Sequence, residues 1–161
     1  MEIRKMRRED HRVVSPKLNE WWGGRQMSSM MPRLFFDHFH DTGFIIEEDH
    51  TMVGFLVGFL SQSEPDEAYI HFVGVAPEYR ERHIGRQLYE TFFHKAMKEG
   101  RAIVRAITSP VNKASIAYHK KMGFEIQSGD GVIDGIPVSL NYDGEGGHRV
   151  LFKKVLNQPD G

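Results

Sequence analysis

The chain has 161 residues, of which 40% are hydrophobic and 27% charged, and its formal net charge is −1. That size and balance fit one domain with its own core and give no overall pull towards nucleic acid or an anionic membrane. There is no cysteine, which excludes disulfides, thiolate metal sites and a cysteine-linked covalent intermediate, and which fits a reducing compartment.

The opening "MEIRKMRRED" is charged and lacks the apolar centre of a signal peptide. Within it, "EIRKM" alternates and reads as a first strand. A helix is expected to follow from Arg8, Glu9 and Asp10, where acids suit a helix start. "LNEWWGGRQM" breaks that helix at Gly23 and Gly24. "PRLFFDHFHDTG" opens with Pro32 and closes at Gly43, the punctuation of a short helix, with Phe35, Phe36 and Phe39 as core. "FIIEED" and "TMVGFLVGFLSQ" flank a turn centred on His50 and read as a hairpin. The apolar run in the second of these is about half of what a membrane span needs. "AYIHFVGV" is a further strand closed by Pro77.

After that strand the period changes. Ile84, Leu88, Phe92, Ala96 and Met97 recur at helical spacing, and Gly100 ends the run. "AIVRAIT" is a strand. "NKASIAYHKKM" is a helix with Asn112 as its N-cap and Gly123 as its stop. "FEIQ" is a short strand, "GVIDGIPVSLNYDGEGG" is rich in turns, and "HRVLFKKVL" is a last strand. The order predicts a single-domain mixed α/β sheet covered by helices over residues 1–156, with "NQPDG" as a flexible tail over 157–161. A cytoplasmic protein without a membrane partner is the expectation.

One junction has chemical promise. In "VGVAPEYRERHIGRQLYE", residues 73–90, a strand feeds a helix through a turn carrying Arg80, Arg82 and Arg86. A helix N-terminus exposes unpaired N–H groups and roughly +0.5 charge, so an anion sits well there. Arginine grips phosphate oxygens in pairs, and Gly85 lets a ligand approach the backbone. The competing reading is a solvated charged loop.

"FVGVAPEYRERHIGRQLYE" resembles the signature segment of the GNAT N-acetyltransferase superfamily, and "SPVNKASIAYHKKMGFE" resembles its second signature, in the same order. The resemblance covers essentially the whole chain. It implies a mostly antiparallel sheet with a splayed central strand pair, the strand ending at Val75 parting from "AIVRAIT". It implies acetyl-CoA as co-substrate, held by Val73, Gly74 and Val75 along the strand, by the turn Arg80, Glu81, Arg82, His83, Ile84, Gly85 and Arg86, and by Asn112, Ser115 and His119 on the later helix. The first glycine of the family pattern is His83 here. If the turn needs a positive φ, histidine costs roughly 1–2 kcal/mol relative to glycine there, although it is among the residues enriched in that region. Glu81, a carboxylate beside phosphates, is expected to point away.

Many relatives have a tyrosine as proton donor to the departing thiolate, and aligned on Gly123 and Phe124 that position is His119. It is a candidate general acid or a residue packed on the cofactor arm; Tyr118, about 100° round the helix, is the second candidate and is otherwise a packing aromatic. For the base, alternation groups Tyr69, His71 and Val73 on one face, with Glu67 at the strand's mouth. His71 is the first choice, directly or through water, against a simple packing role. The resemblance makes Trp21, Trp22, Arg25, Tyr69 and Tyr142 the acceptor-side candidates, with Asp143 beside them; adjacent Trp21 and Trp22 are not expected to face inward together on one helix. His38 and His40 also point to different sides of a helix, and "NYDGEGGH" lacks alternating acids, so no metal is expected.

The function implied is direct transfer of acetyl from CoA to a primary amine of a small molecule or peptide. The alternative is an acyl-CoA-binding sensor with the same fold and little catalysis. Nucleic acid is not an expected partner, since the arginines cluster in one loop. The architecture is often dimeric, so a homodimer is compatible with it.

Overall fold

The computed structural model describes residues 1–157; the expected tail from 158 onwards lies outside them. The strands are β1 (Glu2–Lys5), β2 (Phe44–Glu48), β3 (Thr51–Leu60), β4 (Glu67–Val75), β5 (Ile103–Thr108), β6 (Glu125–Ile126), β7 (Gly131–Ile133), β8 (Ile136–Val138) and β9 (Val150–Val155). The helices are α1 (His11–Trp21), α2 (Leu34–His38), α3 (Ile84–Lys98) and α4 (Lys113–Lys121). Seven strands form one sheet in the order β1-β2-β3-β4-β5-β9-β6. Every pairing in it is antiparallel except β4 with β5. Among the described residues, no helix is long and apolar enough to cross a membrane.

Helices cover both faces of the sheet, so β3 is buried on both sides and reads as an unbroken apolar run. Its glycines set how closely α3 docks. A Cβ at Gly54 would lie 2.9 Å from Ile84 Cγ2, and one at Gly58 would lie 2.5 Å from the Phe92 ring and 2.6 Å from the Tyr69 carbonyl. On the other face Trp21 stacks on Phe55, their ring centroids 6.1 Å apart. Phe36, Phe55, Phe92 and Phe152 are the largest fully buried side chains.

The β4–β5 pair is the opening in the fold. Glu67, Ala68 and Tyr69 pair with Ile103, Val104 and Arg105, and the register ends there. Beyond Tyr69, β4 stays on β3 as far as Val75, while β5 stays on β9 as far as Thr108. The strands therefore part, as the expected splayed pair requires.

Two features depart from the sequence reading. Residues 131–147 are not turns alone: β7 and β8 form a separate hairpin about Asp134 and Gly135, with φ of +51° and +77°. An Asp-Gly pair between short β-branched runs is the chemistry of such a turn. The second is a bulge in β4. Val57 faces Phe72 and Gly58 faces Ile70, so His71 is an extra residue with no opposite number. A bulge shifts the alternation of the strand by one.

Candidate active site

The cleft between β4 and β5 runs from the His71 bulge to the start of α3. Ala76 N–H donates to Val53 O at 2.8 Å, and Gly74 pairs with Phe55. Antiparallel alternation then turns the backbone groups of Val73 and Val75 away from β3, towards the open side.

At the far end His83 is the N-cap of α3, with φ +61° and ψ +20°, the left-handed conformation anticipated for a residue standing where glycine is usual. The first ladder bond of the helix is Gln87 N–H to His83 O at 3.0 Å. The N–H groups of Ile84, Gly85 and Arg86 precede it and point out of the helix mouth. The arginines do not converge there. Arg80 donates from Nη2 to Trp21 O at 3.0 Å and from Nε to Val75 O at 3.4 Å, so it fastens the end of α1 to the turn. Arg82 lies over the Tyr79 ring at 4.8 Å and 3.8 Å from Glu48, drawn towards the β2–β3 hairpin. Arg86, 3.8 Å from Glu90, remains beside the helix mouth, and Glu81 is exposed. What this helix mouth can offer an anion is thus backbone N–H, with Arg86 on the first turn of α3.

Helix α4 borders the opening. Asn112 caps it, its side chain accepting from Ser115 N–H at 3.1 Å. His119 does not present a proton to the cleft. Its Nδ1 lies 2.8 Å from the Ser115 carbonyl, and a carbonyl only accepts, so Nδ1 carries the hydrogen. Nε2 is then the acceptor for the Tyr89 hydroxyl at 3.1 Å. The ring is 7% exposed and stacks on Phe152 at 4.4 Å. Burial lowers its pKa below the ordinary 6.5, the Ser115 carbonyl opposing, so the ring is neutral at physiological pH. The general-acid reading of His119 is corrected on these grounds: it has no free N–H.

Tyr118, expected to point elsewhere, reaches the first turn of α3. A Cβ on Gly85 would lie 2.7 Å from its hydroxyl oxygen. Burial raises its pKa, which keeps it protonated at neutral pH. Tyr89 had no place in the sequence reading, because it falls on the apolar stripe of α3 and carries the signal of a core aromatic; it is 3% exposed, and its pKa is raised by burial.

On the opposite face of β4, His71 stacks on Phe35 with centroids 4.2 Å apart, and its Nε2 donates to Met30 O at 2.7 Å. Nδ1 is consequently the lone-pair nitrogen. Burial lowers the pKa of His71, against the raising effect of the Met30 carbonyl, so this imidazole is also neutral. The bulge corrects the expected grouping. Val73 pairs with Leu56, on the face of α3, whereas Tyr69 and His71 face α1 and α2. Glu67 is held by Arg105 at 2.9 Å in a two-pronged pair.

Both tryptophans pack on the sheet, which they can do because they do not share one helix. Helix α1 ends at Trp21, and Trp22 with φ −104° and ψ +30° leaves the helical path. Trp21 is buried; Trp22 covers Gly74, where a Cβ would lie 3.2 Å from its ring, and meets Phe72 at 5.2 Å. Arg25 is exposed, with its Nη2 3.7 Å from Met27 Sδ, and is not drawn into the cleft. Tyr69 has its pKa pushed up to about 12, by burial first and then by Tyr142 and Asp143, with Arg149 opposing. Tyr142, Asp143 and Arg149 therefore stand close to Tyr69, and Arg149 Nε meets Asp143 Oδ2 at 2.8 Å.

Comparison with known proteins agrees with this geometry. Residues 5–124 match the family described as Acetyltransferase (GNAT) family. The L-2,4-diaminobutyric acid acetyltransferase of Shouchella clausii is 29% identical over 86 residues, 53% of this chain and 48% of that protein. The chain thus spans about half the length of the curated relatives it matches. Ard1 from Thermoplasma volcanium superposes with a TM-score of 0.78 at 18% identity, covering 98% of each chain. The putative acetyltransferase yncA from Salmonella typhimurium, solved with acetyl-CoA, does so with a TM-score of 0.69 at 18% identity, covering 100% of this chain and 96% of that one. At these identities the likeness is one of fold.

Proposed function

The chain belongs to the acetyltransferase (GNAT) family, and on that premise we propose that it transfers an acetyl group directly from acetyl-CoA to a primary amine of a small molecule or peptide, with no covalent enzyme intermediate. It is an acyltransferase; the acceptor and the residue roles are the proposal. The observation that carries it is the parting of β4 from β5 after three paired residues, beside a helix mouth with free N–H groups. Those groups fit a diphosphate, and the outward backbone of Val73 and Val75 fits the amide-bearing arm.

Bound acetyl-CoA supplies the electrophilic thioester carbonyl. The protein's own groups do the rest. His71 is neutral, with Nδ1 as its free lone pair, and accepts the proton that the incoming ammonium must lose, directly or through one water. The unpaired backbone at the bulge offers an N–H to the carbonyl oxygen as its charge develops. Tyr118 takes the place of His119 as proton donor to the departing sulfur, being the residue of that pair whose hydroxyl faces the α3 mouth. Trp22, Tyr69 and Tyr142 line the acceptor side. A peptide amine is favoured by no residue over a small one; the relative from Shouchella clausii, named for a small diamino acid, points to the latter.

The tied-off His119 is the observation favouring the second reading, an acyl-CoA-binding sensor with little turnover. Calorimetric titration with acetyl-CoA tests the site common to both. The native protein binds, and Gly85→Val, which pushes a branched side chain against the Tyr118 hydroxyl and the helix mouth, weakens binding about tenfold or more. Native protein that takes up no acetyl-CoA contradicts the proposal. Binding without thiol release for any amine selects the sensor.

A further inference from the structure

Residues 139–149 form a cross-braced loop that leads into β9, whose first residue pairs with the last of β5. Ser139 and Arg149 exchange backbone bonds of 2.8 and 3.1 Å at its base. Inside it, Asn141 N–H donates to His148 Nδ1 at 2.9 Å, Gly146 N–H to Asn141 Oδ1 at 2.9 Å, and Asp143 N–H to Gly147 O at 3.0 Å. So braced, the loop fixes the Arg149 and Asp143 side chains, which pair at 2.8 Å and are 29% and 44% exposed. Arg149 Nη1 donates to His148 O at 2.8 Å. These bonds leave Arg149 Nη2 and Asp143 Oδ1 without a partner among the described residues.

The pair stands at the mouth of the cleft. Thr108, the last residue of β5, pairs with Val150, so Arg149 lies one position beyond the point to which β5 runs. The charges of Asp143 and Arg149 act on Tyr69 of β4, and His71 lies on the same face of that strand. A free guanidinium N–H and a free carboxylate oxygen side by side are complementary to a carboxylate and an ammonium borne on one carbon. A neutral pair accepts the neutral α-ammonium and α-carboxylate head group without adding net charge there. A simple amine would leave the guanidinium nitrogen without its acceptor, and the N-terminus of a peptide carries an amide where the carboxylate would be.

We propose that Arg149 and Asp143 form a clamp for the head group of a free amino acid, and that the acetyl acceptor is an amino acid carrying a second amine on its side chain, the side-chain amine being the one acylated. This rests on the reading of the cleft as an acetyl-transfer site. Arg149 Nη2 donates to the α-carboxylate and Asp143 Oδ1 accepts from the α-ammonium. The side chain then runs along β4 past Tyr69 towards His71. Alternate residues on one face of a strand are about 6.5–7 Å apart, a distance comparable to the reach of such a side chain. The side-chain ammonium first gives one proton to His71. The neutral nitrogen then forms its bond to the acetyl carbon as the carbon–sulfur bond breaks, the sulfur takes the Tyr118 proton, and the second proton shed by the nitrogen passes through solvent to restore Tyr118.

The test is acetyl transfer to L-2,4-diaminobutyric acid, L-ornithine and L-lysine, each beside the diamine that lacks its carboxylate, and to a short peptide with a free N-terminus. The native protein favours at least one of the amino acids over its diamine about 10- to 100-fold in kcat/KM. Arg149→Gln brings that ratio towards one through a raised KM, and Asp143→Asn raises KM for the same amino acid, with acetyl-CoA affinity retained in both. Should Arg149→Gln fail to fold, the ratio in the native protein and in Arg149→Lys decides. Diamines used as well as their amino acids, or an unchanged ratio in Arg149→Gln, overturns the clamp. Transfer to the peptide alone overturns the clamp and leaves the transferase reading standing; no transfer to any amine overturns both.

Discussion

His83 holds its backbone at φ +61° with a side chain that glycine would not have. A histidine in that region costs roughly 1–2 kcal/mol, part of which glycine would lose again to the greater freedom of the unfolded chain. His83→Gly is therefore expected to leave stability unchanged or raise it by up to about 1 kcal/mol, while His83→Val lowers it by about 1–2 kcal/mol, because a β-branched residue tolerates the left-handed region least. Urea unfolding of the three proteins checks the ranking. This position was legible in the sequence, since a histidine where a signature glycine belongs fixes what the backbone must do. His119 was less legible. Its place in the motif was visible, but its proton depended on the Ser115 carbonyl one turn back and on Tyr89 from another helix. Hydrogen-bond partners so distant in sequence leave no trace in local pattern. The Arg80 and Arg82 side chains were misleading for the same reason: Trp21 and Glu48, which hold them, are contributed by elements far back in the chain.

Among the elements, β3 and α3 fit closely. Gly58 lets Phe92 approach the sheet, and a Cβ there would meet both that ring and the Tyr69 carbonyl. Gly58→Ala is expected to destabilise the protein by about 1–3 kcal/mol, since neither the ring nor the backbone of β4 yields easily. Chemical denaturation measures it. Because the overlap falls where β4 still pairs with β5, the variant also disturbs the root of the cleft. Most elements were legible from their own residues. Asn112 and Gly123 bracket α4 as a cap and a stop, and the long helical period from Ile84 gave α3. The bulge at His71 was not. Nothing in "AYIHFVGV" distinguishes an extra residue from an ordinary one, because a bulge is a property of the register with β3. Its consequence is large: Tyr69 and His71 share a face, and Val73 lies on the other.

For the whole molecule, topology makes the cleft. A single parallel contact in an otherwise antiparallel sheet leaves β4 and β5 bound at one end and open at the other. The free helix mouth of α3 stands at the end of β4, and the braced loop 139–149 stands beyond the end of β5. The order of strands was legible through the two signature segments taken together, although the pairing that opens the cleft is a non-local fact. In the proposed reaction acetyl leaves CoA in this cleft for an amine deprotonated by His71. The most direct measurement is thiol release from acetyl-CoA, with the acetylated amine quantified alongside, for the native protein and His71→Gln between about pH 5 and pH 9. One thiol per acetylated amine is expected. A base works only when unprotonated, and burial holds the pKa of His71 below 6.5, so kcat/KM falls on acidification with a midpoint below that value. His71→Gln loses about 10²–10⁴ in rate at neutral pH together with that acid limb, and still binds acetyl-CoA. No thiol release with any amine, or a His71→Gln protein that keeps both its rate and its acid limb, would contradict it.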